Sequence, residues 1–360
     1  TFIKKYNQMK YDKIKSELFI KNRKNFMKNM AGKSIAFFNS NDIYPISADS
    51  TLAFEQHRDI FYLSGVDQEE SILVLCPNAA DEKHREILFL KETNEHIAVW
   101  EGPKLTKQQA FETSGVRTVY WLKDSDKIIA ELVDHYNHNE HYRAKVETET
   151  REERFNNWLK KTYSHKKSER SNPFLQRLRS VKDPIEIDLI QKACNITNKG
   201  FRRILNFVKP GVWEYEIEAE FIHEFLNNRS KRFAYTPIIA SGQNANILHY
   251  NENNKKCKDG ELILLDVGAE YANYSSDMTR TIPVSGRFTH RQKDIYNAVL
   301  KVKNEATKML VPGADWEQYH LEVGKLMTSE LLTLGLLDKK DIQNETKQNP
   351  AYKKYFMHGT

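Results

Sequence analysis

The run Leu262-Ile263-Leu264-Leu265 is uninterrupted apolar sequence that stops on a carboxylate, Asp266, followed by Gly268. Four consecutive aliphatic side chains suit a strand buried in a core. The sequence thus predicts a charged group mounted on a core strand, a costly placement for a group without a partner. Tyr271–Ser276 reads as a polar turn, and the segment from Asp277 to Ile282 as the returning strand of a hairpin bearing a second carboxylate. If both side chains share one face, like charges at short range need a shared proton or a bound cation, and a divalent metal is the ordinary solution. Taken singly, each aspartate has a plainer reading: Asp266 as a turn carboxylate, Asp277 as a side chain bonding its own turn after Ser275 and Ser276. His249, within Asn246-Ile247-Leu248-His249-Tyr250, is by itself compatible with a core or surface histidine. The three together point to a site.

The remainder has the composition of a globular frame. Of 360 residues, 39% are hydrophobic, 29% charged and 11% aromatic, which excludes disorder over most of the chain. The length suits two domains at roughly 100–200 residues each. The longest apolar runs, Ile72–Cys76 and Leu262–Leu265, are far short of the ~20 residues of a membrane span, so none is expected. The net charge of +6 is scattered lysine without an aromatic-interleaved stripe, which argues against nucleic acid as a partner. The basic stretch Lys160–Arg170 reads as a solvated segment between domains. Cys76, Cys194 and Cys257 are odd in number and widely spaced, as for buried thiols in a reducing compartment, and the cytoplasm is the expected location. The Lys-rich start at Thr1 lacks the pattern of a signal peptide.

Only 14 glycines, about half the usual share, favour long helices over phosphate-binding loops, and no GxGxxG, GxxxxGK, GxSxG or HExxH is present. Ser34–Asn39, Ile60–Ser64, Ser71–Cys76 and Ile87–Lys91 read as strands separated by polar or helical segments, the pattern of an α/β domain with a mixed or mostly parallel sheet. A polar, charge-dense section from Glu147 to Asn172 precedes Pro173, and the expected domains are 1–172 and 173–360. From Pro184 the spacing predicts a helix with Ile187, Ile190, Cys194, Phe201, Ile204, Leu205 and Val208 near one face, stopped by Pro210 and Gly211. Further helices are predicted at Tyr215–Asn227, Arg291–Leu310 and Trp316–Leu334, the last N-capped by Asp315.

These residues carry a family resemblance. Ile238-Ile239-Ala240-Ser241-Gly242-Gln243-Asn244-Ala245, Ile247–Tyr250, Leu265–Tyr271 and Ser276–Thr281 resemble the catalytic domain of aminopeptidase P, the Xaa-Pro aminopeptidases, which have the pita-bread fold. Phe54–Gly65, Ile72–Pro77 and Trp100–Pro103 resemble that family's creatinase-like N-terminal domain, which gates the substrate, and Arg177–Asn195 resembles the helix opening the catalytic domain. The resemblance implies an α/β (α+β) chain with an N-terminal mixed-sheet domain followed by a pita-bread metallopeptidase domain. It also implies two divalent metal ions held by two Asp, one His and two Glu. Asp266 and Asp277 match the two aspartates, with Asp277 bridging both metals. His249 matches a histidine that helps to bind the substrate, and His358, in Phe356–Thr360, matches the first histidine of an HGxxH segment. The sequence stops at Thr360 inside that segment, so the remaining ligands, one His and two Glu, are expected beyond it.

The chemistry expected is hydrolysis of the bond between an N-terminal residue and a following proline. Carboxylate-rich ligation favours manganese, with cobalt or zinc as alternatives. Two metals about 3.5–4 Å apart would share a hydroxide and polarise the scissile carbonyl, with His249 and His358 donating to substrate or oxyanion. Proline at the second position offers no N–H, so the pocket must read ring shape and the free amino terminus. The 17 Tyr and 18 Phe can supply aromatic walls; Tyr235 and Tyr250 lie near the motifs, where a core or rim role is equally consistent. A prolidase restricted to Xaa-Pro dipeptides is the alternative within this chemistry, and a non-catalytic pita-bread binding module is the alternative outside it. The resemblance further implies a homo-oligomer, dimer or tetramer.

Overall fold

The computed structural model describes residues 11–47, 50–52, 54–92, 104–133, 137–140, 150–166, 169–346 and 349–356. Trp100–Pro103 and Met357–Thr360, with His358, lie outside the described residues. Two compact units are formed, the first by residues 1–203, 221–236 and 267–278, the second by 204–220, 237–266 and 279–360. No helix among the described residues is long and apolar enough to cross a membrane.

The first unit is organised by a mixed sheet of strands β1 (Ser34–Asn39), β2 (Ile72–Leu75), β3 (Glu86–Leu90), β4 (Thr118–Trp121), β5 (Asn137–Glu140) and β6 (Glu169–Arg170), in the order β4-β3-β2-β1-β5-β6. The central pairings β1–β2 and β2–β3 are antiparallel, whereas β3–β4, β1–β5 and β5–β6 are parallel. All of β1 and β2 is buried, because both faces of the sheet are covered. Phe38, Leu73 and Leu88 pack with Phe26 of helix α1 (Ser16–Met27), Ile60 and Leu63 of α2 (Arg58–Ser64), Ala110 of α3 (Lys107–Ser114) and Leu175 of α6 (Asn172–Ser180). On the other face Phe37, Val74 and Phe89 pack with Ile129 of α4 (Ser125–Val133) and Leu159 of α5 (Arg151–Thr162). Alternate residues of each strand thus feed two cores.

One expectation is corrected here. Ile60–Ser64 is not a strand but most of α2, which is buried on every side and so shows no helical period; apolar runs this short do not distinguish helix from strand. What fixes the helix lies outside the run: the His57 side chain accepts from the Asp59 N–H, and Gly65 closes the helix at φ +68, its N–H bonding Phe61 O at 2.7 Å. The polar section Glu147–Asn172 contains α5, opened by a Thr150/Glu153 capping box, and that helix puts Leu159 fully into the core.

Arg23 of α1 is fully buried and ties these helices together. Its Nη1 donates to Leu63 O (2.8 Å) and Ser114 O (2.9 Å), carbonyls at the C-terminal ends of α2 and α3, where the helix dipoles favour a cation. Nε donates to Glu86 Oε2 at 2.9 Å. Arg23→Met keeps the bulk but strands the carboxylate and both carbonyls. It is expected to lower stability by about 3 kcal/mol, read as a lower urea midpoint at unchanged slope.

Helix α7 (Pro184–Phe207) begins and ends where expected, but its buried face is rotated. Leu189, Ala193, Ile196, Thr197, Gly200, Phe201 and Ile204 face inward, and Ile187 and Leu205 are 55% and 61% exposed. Hydropathy alone overlooks Thr197 and Gly200, which are core residues for other reasons. Gly200 lies against the Phe221 and Phe225 rings, 2.8 and 3.0 Å from where a Cβ would stand, and the Thr197 hydroxyl holds the hairpin described below.

In the second unit, β7 (Ile238–Ser241), β8 (Leu262–Asp266) and β11 (Thr279–Pro283) form an antiparallel sheet in the order β11-β8-β7. Helices α9 (His290–Met309) and α10 (Trp316–Thr333) pack through Val302, Ala306, Tyr319 and Val323. Asp315 caps α10 as expected, its side chain accepting from the Gln318 N–H at 2.8 Å.

Candidate active site

Asp266 is the last residue of β8, in register with Thr279 on one side and Ile238 on the other. Ile263 and Leu265 are fully buried on one face, while Leu262, Leu264 and Asp266 share the other, half-buried face. The expected core strand is therefore one-sided, and the carboxylate stands on its more open side.

The return is more elaborate than the expected polar turn. Glu270–Tyr271 (β9) and Tyr274–Ser275 (β10) pair as a hairpin of their own, with Ala272 and Asn273 at φ +52 and +62 supplying the left-handed pair that a tight two-residue turn requires. The returning strand begins at Thr279, so Asp277 precedes it on a segment outside any strand and is exposed. There its Oδ1 accepts the Tyr235 hydroxyl at 3.0 Å.

What holds this segment is a close approach of two backbones. A Cβ on Gly268 would lie 1.9 Å from Ser276 O, a contact open only to glycine. Around it, Val267 N–H bonds Met278 O (3.1 Å), Ser276 N–H bonds Ala269 O (3.0 Å) and Ala234 N–H bonds Gly268 O (2.8 Å). Buried Thr197 completes the anchor: its Oγ1 lies 2.7 Å from Ser276 Oγ and accepts the Ala269 N–H at 2.8 Å.

His249 is exposed, in the turn that follows the 3₁₀ segment Gly242–Asn246. Its neighbour Tyr250 is buried, with its hydroxyl on Glu214 Oε2 at 2.7 Å; burial first, then that bond, pushes the phenol up to about 12. Tyr250 is therefore a core residue of this loop. Glu214, the first residue of α8 (Glu214–Asn227), is a residue that sequence reading missed: it lies in no motif and shows no local pattern, and its role is visible only from its partners.

Among the described residues, no group of three or more His, Cys, Asp or Glu is placed to hold a metal ion. Asp266 and Asp277 offer hard oxygen donors, which fit part of a divalent-metal ligand set. Two buried thiols fit it less: burial pushes Cys76 to about 12 and Cys257 to about 11, away from the thiolate form that ligates.

Comparison with known proteins supplies the family. Residues 188–360 match the model of metallopeptidase family M24, and residues 19–142 that of the aminopeptidase P N-terminal domain. The chain is 33% identical to a Xaa-Pro aminopeptidase of Haemophilus influenzae over 316 residues, 86% of this chain and 70% of that protein. The structure of an aminopeptidase from Pseudomonas aeruginosa superposes with a TM-score of 0.84 at 29% identity, covering 96% of this chain and 79% of that one. A zinc-substituted aminopeptidase P of Escherichia coli in complex with product gives 0.80 at 29%, covering 91% and 76%. An N-terminal α/β domain followed by a pita-bread domain is the fold these structures share with it. With both family models matched in order and a third of the residues identical across most of a relative's length, the chain belongs to the Xaa-Pro aminopeptidase (aminopeptidase P) family of M24 metallopeptidases, which are hydrolases.

Proposed function

We propose that this metallo-aminopeptidase releases the N-terminal residue from peptides with proline at the second position, and that Asp266 and Asp277 are ligands to its divalent metal. The reading is carried by the placement of the two aspartates: Asp266 ends β8 and Asp277 precedes the strand paired with it, in a chain of this family. Manganese is the proposed metal, with cobalt or zinc as alternatives, and two ions the proposed number. The full ligand set on this reading takes one His and two Glu beyond Thr360. Domain limits of 1–172 and 173–360, a cytoplasmic location and a dimeric or tetrameric assembly belong to the same proposal.

Bound metal supplies Lewis acidity at the scissile carbonyl and a water acidified toward neutral pH. The chain's own part is orientation. Asp266 presents its carboxylate from a strand paired on both sides, and the Tyr235 hydroxyl donates to Asp277, fixing that carboxylate in rotation. His249 and His358 are proposed to donate hydrogen bonds to the substrate or to the oxyanion that develops from its carbonyl, a contribution that grows in the transition state.

The test is release of the first residue from a Xaa-Pro-Yaa peptide, with a Xaa-Pro dipeptide beside it. Cleavage of the tripeptide that is abolished by a chelator and restored by Mn²⁺ is expected. Dipeptide-only cleavage points instead to a prolidase, and cleavage of neither to a binding module.

A further inference from the structure

Glu214 has no exposed surface, yet its carboxylate accepts five hydrogen bonds, and none comes from its own helix. Oε1 accepts from Ser241 N–H (2.6 Å), Ser241 Oγ (2.8 Å) and Asn244 Nδ2 (3.3 Å). Oε2 accepts from the Tyr250 hydroxyl (2.7 Å) and Lys255 N–H (2.9 Å). An acidic residue that merely opened a helix would bond that helix's free N–H groups. Instead this one faces a loop and is held for it: Glu214 N–H bonds Lys255 O at 2.9 Å, and Trp213 forms an antiparallel bridge to Lys256. Lys255 adds the counter-charge nearby, its Nζ bonding Ser241 O at 3.0 Å and Glu261 Oε1 at 2.9 Å.

The two oxygens divide the work by position in the chain. Oε1 grips Ser241 and Asn244 in the first half of segment 241–250 and Oε2 grips Tyr250 at its end, and between the grips stand the exposed Ile247, Leu248 and His249. A loop closed at both ends on one buried carboxylate has lost its conformational freedom before any ligand arrives. Because every donor is satisfied at a fully buried charge, loosening one grip leaves polar groups without partners.

We propose that Glu214 is a positioning residue for His249, holding the 241–250 loop so that the imidazole meets the peptide substrate in one orientation. This rests on the reading of His249 as a substrate contact. Gln at position 214 keeps the shape but has one acceptor oxygen where the carboxylate has two, so one grip must open.

The experiment compares the full Mn²⁺-loaded chain with Glu214→Gln, Tyr250→Phe, His249→Ala and the Glu214→Gln/His249→Ala double variant. The readouts are amide hydrogen exchange, metal affinity, and kcat and KM on a Xaa-Pro-Yaa peptide. In Glu214→Gln, exchange across 242–250 is expected to rise about tenfold or more while the rest of the protein is unchanged. Its kcat/KM should fall about 10–100-fold at unaltered metal affinity, since a bond to a charged group is lost. If the effect runs through His249, adding His249→Ala to Glu214→Gln costs much less than it does in the wild type. A folded Glu214→Gln protein with wild-type exchange, or losses that simply multiply, overturns the proposal. Should that variant not fold, Tyr250→Phe takes its place: it leaves the carboxylate four donors, and wild-type exchange there is equally fatal. A wild type that cleaves no Xaa-Pro peptide would refute the functional reading, whereas the exchange measurement still decides whether Glu214 holds the loop.

Discussion

Asp277→Asn is expected to cut turnover by more than about a hundredfold at saturating metal, because replacing even a group behind a metal ligand typically costs 10–100-fold. Stability should stay within about 0.5 kcal/mol of wild type, the usual range for an exposed position. The asymmetry follows from the structure. Asp277 is exposed outside any strand and contributes no core packing, and the amide oxygen of Asn can still accept the Tyr235 hydroxyl. What the substitution removes is one negative charge, and in the proposed mechanism that charge holds metal. The checks are kcat with increasing Mn²⁺, metal affinity by calorimetry and a urea unfolding curve. Wild-type turnover in the saturated variant would remove Asp277 from the ligand set.

Gly268→Ala is expected to do the opposite, damaging the fold first and activity as a consequence. A single methyl group at residue 268 would stand 1.9 Å from Ser276 O, and that oxygen belongs to backbone rather than to a side chain able to swing aside. The Ser276 end cannot drift either, since Thr197 Oγ1 lies 2.7 Å from its hydroxyl and its N–H bonds Ala269 O at 3.0 Å. Overpacking of a tight site costs about 1–3 kcal/mol and more where backbone must move, so a loss of about 3 kcal/mol or above is expected. Residue 268 follows Asp266 by two positions and residue 276 immediately precedes Asp277, so the shift needed to admit the methyl falls on both segments that carry the carboxylates. Metal affinity should fall along with stability. A variant with an unchanged urea midpoint and full metal affinity would show that the two backbones have slack the structure does not reveal.

These expectations draw unequally on sequence and structure. Legible in the residues were β8 with its terminal Asp266, the helices α7 to α10 to within about one residue at each end, the Asp315 cap and the family motifs. Each is a local signal: a run of aliphatic residues, a three-to-four spacing, a capping side chain, a Pro-Gly stop. Where burial surrounds an element the signal disappears, and Ile60–Ser64 read as a strand although its ends dictate a helix. Where a core position is polar or tiny, as at Thr197 and Gly200, hydropathy points to the wrong face.

Family, class of chemistry and the two candidate carboxylates are legible in the residues alone, because motif residues and periodicity lie close together along the chain. The contacts that hold the 241–250 loop and the segment before Asp277 emerge only on folding. Glu214 meets Ser241 and Lys255 across separations of 27 and 41 residues, and Thr197 meets Ser276 across 79. A hydrogen bond requires its partners only to be neighbours in space, so such contacts leave no spacing rule in the sequence, and the residues that hold these two segments are set by tertiary packing.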